Sequence, residues 1–183
     1  MKKIFNVGLI GCGHIAETYF RAHKYFNNFK IIKCADINNK AAIKCAKANR
    51  IKAVSIKELL KDKNIKVILN LTIPKAHYSV AKLALKHGKH VYSEKPLAIN
   101  LSDGIKLIKL ARKKKLYVGN APDTFLGGGS QKSRELLDKK TIGKVKFGNA
   151  IFAYPGVQSY HPNPEPCLLY TSDAADDTLC FCG

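Results

Sequence analysis

The sequence predicts an α/β fold, a doubly wound parallel sheet, followed by the start of a smaller α+β domain. Three observations predict it. Short apolar runs alternate with longer stretches of helical period, the pattern of strands joined by crossover helices. The runs are continuously apolar, as strands covered by helices on both faces are. A glycine-rich turn, Gly11-Cys12-Gly13, stands between the first apolar run and the first helical stretch.

Taken in order, Ile4–Ile10 reads as a buried strand and His14 to about Phe26 as a helix. Ile31–Asp36 is the second strand, and Asn39–Ala48 a helix with Ala41, Ala42, Cys45 and Ala46 inward. A short strand near Ala53–Val54 precedes a small helix, Ile56–Lys61. Val67–Ile73 is the most apolar strand, and Pro74 opens a helix that runs to His87 and is capped by Gly88. His90–Ser93 is the fifth strand. A helix over Ser102–Lys114 turns Ile105, Ile108, Leu110 and Ala111 to one face, and Leu116–Gly119 is the sixth strand. These elements define a first domain over 1–121. Beyond it, Gly127-Gly128-Gly129 precedes a helix with Arg134, Leu136 and Leu137, and Lys144–Tyr154 has β alternation. Residues 122–166 are therefore expected to open a second domain.

Composition bounds the function classes. The chain has 183 residues, 46% hydrophobic and 25% charged, ordinary values for a folded globular protein. No apolar stretch approaches the roughly 20 residues of a membrane helix, and the N-terminus lacks a signal-peptide core, so a cytoplasmic protein is expected. The net charge of +19 does not imply nucleic acid. Only Arg21, Arg50, Arg112 and Arg134 are arginines, and the lysines are scattered rather than gathered on one face.

The last seventeen residues, Cys167–Gly183, have no Lys or Arg but hold three Asp and three of the six Cys. The stretch Cys167-Leu168-Leu169-Tyr170-Thr171-Ser172-Asp173 and onward resembles the translation of a sequencing-library adapter, and 167–183 is read as a non-native tail. Cys12, Cys34 and Cys45 remain, with no CxxC pair and no His at ligand spacing. They are expected to be small core hydrophobes in a reducing compartment, and no metal site is expected.

The residues that carry chemistry lie at the ends of the predicted strands. In Gly11-Cys12-Gly13-His14-Ile15-Ala16 the first glycine permits a tight turn and the second lets backbone amides approach a diphosphate. Ala16 permits close helix–strand packing. The helix beginning at His14 and Ile15 then points its positive end at that charge. Asp36 ends the second strand 23 residues after Gly13, where a carboxylate can accept both ribose hydroxyls of an adenosine and would repel a 2′-phosphate. NAD is therefore expected over NADP. Asn70-Leu71-Thr72-Ile73-Pro74-Lys75-Ala76-His77 and Tyr92-Ser93-Glu94-Lys95-Pro96 leave the sheet at its carboxyl edge, where open α/β sheets bind ligands. On spacing, His77 suits a surface or supporting role as well as a site role. Lys95 can hydrogen-bond a substrate hydroxyl.

The set Gly8–Ala16, Thr72–His77 and Glu94-Lys95-Pro96-Leu97-Ala98 resembles the glucose–fructose oxidoreductase/inositol dehydrogenase (Gfo/Idh/MocA) family, and Gly119–Gly127 is similar to a dehydrogenase-like subgroup. The resemblance covers 1–166. It implies a Rossmann domain and a nicotinamide-dependent oxidoreductase acting on a sugar, cyclic polyol or derivative, with no nucleic acid or membrane partner. It places Lys95 beside the nicotinamide and the reacting hydroxyl, and Glu94 near the nicotinamide ribose. Thr72, Ile73 and His77 would line the cofactor cleft, and the Lys95–Pro96 bond is often cis in relatives. Relatives also carry an Asp and a His in the second domain. Tyr160–Glu165 resembles the approach to that stretch, so the substrate-domain base is expected to be missing and the chain to bind cofactor without useful turnover. The intact protein would form homo-oligomers. A non-catalytic NAD-sensing relative and an NAD-dependent glycosidase are the alternatives.

Overall fold

The computed structural model describes residues 4–121, 124–149, 151 and 153. Six strands form one sheet: β1 (Phe5–Ile10), β2 (Phe29–Ala35), β3 (Lys52–Ala53), β4 (Val67–Asn70), β5 (His90–Ser93) and β6 (Val118–Asn120). All pairs are parallel, and the spatial order is β3-β2-β1-β4-β5-β6. This is the doubly wound Rossmann arrangement, with the direction of winding reversing between β1 and β4.

Helices α1 (His14–His23), α2 (Asn39–Asn49), α3 (Ile56–Lys61), α4 (Pro74–Lys86) and α5 (Leu101–Lys114) connect the strands. Residue alternation along β1 shows why the strands are apolar throughout. Val7 and Leu9 enter one core with Ala16, Phe20 and Ala46 of α1 and α2. Ile10 enters the other, with Leu59, Leu60, Ala81, Leu85 and Leu107 of α3, α4 and α5. Ile68 and Leu69 of β4 divide between the cores in the same way.

Local chemistry sets the helix starts. Asn38 caps α2 by accepting from the backbone N–H of Lys40 and Ala41, and Ser55 with Glu58 forms a reciprocal capping box on α3. Pro74 occupies the first turn of α4.

The structure corrects several boundaries and one inward residue. α1 ends at His23, three residues before the expected Phe26. β4 ends at Asn70, not Ile73. Its pairing with β5 stops at Asn70–Ser93, after which the chain turns toward α4. On α5 the buried residues are Leu107 and Ala111; Ala111 lies inward as expected, Leu107 joins it, and Ile105 is 45% exposed. Leu107 and Ile105 lie about 200° apart around the helix, so only one can face the sheet.

A 3₁₀ turn (Thr124–Leu126) and α6 (Gly128–Asp138) follow. Among the described residues after α6 there is no strand, contrary to the reading of Lys144–Tyr154, and Phe147 is 86% exposed. Alternation alone does not make a strand, because the backbone N–H and C=O groups need a neighbouring edge to pair with. Residues 154–183, including the motif at Tyr160–Glu165 and the adapter-like tail, lie outside the described residues.

Candidate functional site at the carboxyl edge of the sheet

The site begins with the turn after β1. Gly11 has φ +99°, and a Cβ there would lie 2.5 Å from the backbone C and O of Leu71. The turn is therefore pressed against the exit of β4, and only glycine fits. Hydrogen bonds fix it on both sides, from Gly11 N–H to Ala35 O (3.0 Å) and from Leu71 N–H to Ile10 O (2.8 Å). Gly13 is different. Its φ is ordinary at −77°, and a Cβ would meet no atom of the described residues within 4 Å. Its bare face opens outward at the start of α1, which has no side-chain cap. Ala16 is buried one turn further on.

Asp36 stands at the end of β2, beside the turn. One carboxylate oxygen accepts the backbone N–H of Cys12 at 2.7 Å, and the other that of Asn38 at 2.8 Å. The carboxylate is thus held at the mouth of the glycine turn by the loop itself. Lys33, the neighbouring cation on β2, is paired instead with Asp62 at 2.6 Å.

The other part of this edge is built from two loops, after β4 and after β5, tied together below the surface. Asn70, fully buried at the end of β4, donates to His77 O (3.0 Å) and Ser93 Oγ (3.2 Å) and accepts from the Thr72 hydroxyl (2.7 Å). The buried His77 ring spans Thr72 O (2.8 Å from Nε2) and Pro96 O (2.5 Å from Nδ1). His77 therefore links the loop after β4 to the loop after β5. Glu94 accepts from the Tyr19 hydroxyl of α1 at 2.8 Å and from the Lys95 backbone N–H at 3.1 Å. The Asn120 amide donates to the carbonyls of Ser93 and Glu94.

Lys95 is exposed, and the Lys95–Pro96 peptide bond is cis. Ile73 (52% exposed) caps the start of α4, and His14 and Ile15 form the exposed first turn of α1.

Two groups at this edge emerge only in three dimensions. The first is the scaffold of Tyr19, Asn70, Ser93 and Asn120. Asn70 carried a signal, as a polar residue ending an otherwise apolar strand. Tyr19 carried none, since 75 residues separate it from Glu94. The second corrects the reading of the cysteines as separate core residues. The sulfurs of Cys12, Cys34 and Cys45 lie within 4.8 Å of one another. They come from the glycine turn, β2 and α2, so no short spacing could have announced them. Hydrogen bonding between Cys12 and Cys34 raises the Cys12 pKa and lowers that of Cys34, while burial pushes Cys45 up to about 11.

A parallel sheet with a glycine elbow, an outward-facing second glycine and a carboxylate at the end of β2 defines a dinucleotide-binding α/β protein. The family described as an oxidoreductase family with an NAD-binding Rossmann fold matches residues 5–121, and the chain belongs to this Gfo/Idh/MocA family. It is similar to trans-1,2-dihydrobenzene-1,2-diol dehydrogenase of Xenopus laevis, 39% identical over 101 residues, covering 55% of this chain and 31% of that protein. Myo-inositol 2-dehydrogenase of Thermotoga maritima is 24% identical over 140 residues, covering 75% of this chain and 42% of that protein. Among solved structures, biliverdin reductase from Synechocystis, in complex with biliverdin and NADP+, superposes with a TM-score of 0.65 at 30% identity. That match covers 73% of this chain and 43% of the reductase. The chain spans about a third of the length of the Xenopus relative. No helix among the described residues is long and apolar enough to cross a membrane.

Proposed function

We propose that this chain is the cofactor-binding part of an NAD-dependent oxidoreductase that moves a hydride between nicotinamide and a sugar, cyclic polyol or derivative. The observation that carries the reading is the contact of Asp36 with Cys12 N–H, which presents a carboxylate at the mouth of the glycine turn. The residues present suit the cofactor: Gly13 leaves open space beside the start of α1, where amides and the helix dipole favour a diphosphate.

Asp36 can accept ribose hydroxyls and repels a 2′-phosphate. Engagement of Lys33 by Asp62 removes one cation that could have offset that repulsion. Both features support NAD over NADP.

The bound nicotinamide supplies the hydride acceptor or donor. Lys95 is assigned to hold the substrate hydroxyl by hydrogen bonding and to stabilise negative charge on its oxygen. Glu94, anchored by Tyr19, would receive the nicotinamide ribose. Thr72 and Ile73 line the cleft, and the buried His77 acts by fixing the two loops that carry them and Lys95. The substrate class is supported by the names of the relatives, an inositol and a dihydrodiol dehydrogenase, whose substrates are secondary alcohols beside a second hydroxyl.

Fluorescence titration tests the cofactor assignment. NADH should bind saturably and more tightly than NADPH, and Asp36→Ala should narrow or invert that preference. Equal affinities in the parent chain, or a preference untouched by Asp36→Ala, would contradict it.

A further inference from the structure

We propose that Cys12, Cys34 and Cys45 form a binding site for one thiophilic cation such as Zn²⁺, held by three thiolates beneath the glycine turn. Three thiolates about 2.3 Å from a common ion stand about 3.8–4.0 Å apart. The three sulfurs already lie within 4.8 Å of one another. An ion in their plane requires each sulfur to move inward by at most about 0.5 Å.

The ligands come from three separate elements, and all three are sulfur, the donor that selects soft cations over Mg²⁺ or Ca²⁺. Cys34 is fully buried, while Cys12 and Cys45 are half-buried and line a cleft of about 580 Å³ between α1 and α2. That cleft gives an ion its path in and leaves a fourth position for water. Arg21, Lys24 and Lys44 outnumber the one carboxylate, Glu17, along the same cleft. They offset the net negative charge of a tris-thiolate complex with a divalent ion. The Asn49 amide is held on Cys45 O at 3.0 Å and lies 4.0 Å from Cys45 Sγ, placed to donate to a ligating sulfur. Binding releases the thiol protons to solvent and ties the middle residue of Gly11-Cys12-Gly13 to β2 and α2.

The experiment uses the full chain, reduced and freed of metal, with Cys167, Cys180 and Cys182 replaced by Ser so that only these three thiols remain. Titration with Co²⁺ should produce a thiolate-to-metal charge-transfer band that saturates at one ion per chain and is abolished by stoichiometric Zn²⁺. Cys45→Ser, on the half-buried helical side, should weaken Co²⁺ binding at least 100-fold while leaving the far-ultraviolet circular dichroism unchanged. Cys34→Ser should do the same, and if it unfolds the chain, Cys45→Ser decides. Absence of the band, or a band of undiminished affinity in Cys45→Ser, overturns the proposal. All of these readouts are independent of dinucleotide binding.

Discussion

The carboxylate of Asp36 accepts the backbone N–H of Cys12 at 2.7 Å, joining the end of β2 to the turn after β1. The contact has two effects, on the shape of the turn and on what the turn can receive. Asp36→Asn keeps an acceptor for Cys12 N–H but removes the charge. It should weaken NADH binding by roughly tenfold, within the range of a hydrogen bond to a charged group, and improve NADPH binding relative to NADH. Parallel fluorescence titrations of the two cofactors check this.

Gly11 meets a steric demand of the fold itself. Gly11→Ala would place Cβ 2.5 Å from the Leu71 backbone at φ +99°. Strain and overlap together should cost about 3 kcal/mol or more, measured by urea denaturation.

The buried amide of Asn70 is a second weak point. Asn70→Ala strands the Thr72 hydroxyl, Ser93 Oγ and the His77 carbonyl without their partner. The expected destabilisation is about 2–4 kcal/mol. Asn70→Asp, which keeps the acceptor for Thr72 but loses both donors, should recover only part of it.

Acid stability should follow Asp62. The hydrogen bond from Lys33, followed by that from the Asn64 backbone, holds its carboxyl below the ordinary value of 3.8. A carboxylate with a lower pKa folded than unfolded stabilises the fold above its unfolded pKa, and that contribution is lost as pH falls through the folded one. The stability gap between the parent chain and Asp62→Asn should therefore be constant near neutrality and close below about pH 3.8. Urea midpoints measured across an acid pH series would show it.

The six strands of the first domain and their parallel direction were legible in the sequence, because burial on both faces writes continuous apolar runs. The glycine turn was legible too, since a local steric demand leaves a local residue. Strand ends and the place of Ile105 on α5 were less so. Leu107 is buried with Ala111, four residues on and on the same face, and Ile105, about 200° from Leu107, is left exposed. The linkages of Tyr19 to Glu94 and of Cys12 to Cys34 and Cys45 join residues brought near only by the winding of the sheet. No spacing rule reaches them. His77 was read as a residue of the cleft, and the structure adds the two backbone carbonyls that its ring bridges.

In the proposed complex the dinucleotide diphosphate lies on the outward face of Gly13. Gly13→Val tests it most directly, because the backbone there is extended and a Cβ meets no described atom within 4 Å. The Gly13→Val fold should be nearly as stable as the parent, within about 1 kcal/mol for a changed N-cap, with saturable NADH binding abolished. A Gly13→Val chain that binds NADH with parental affinity would contradict it.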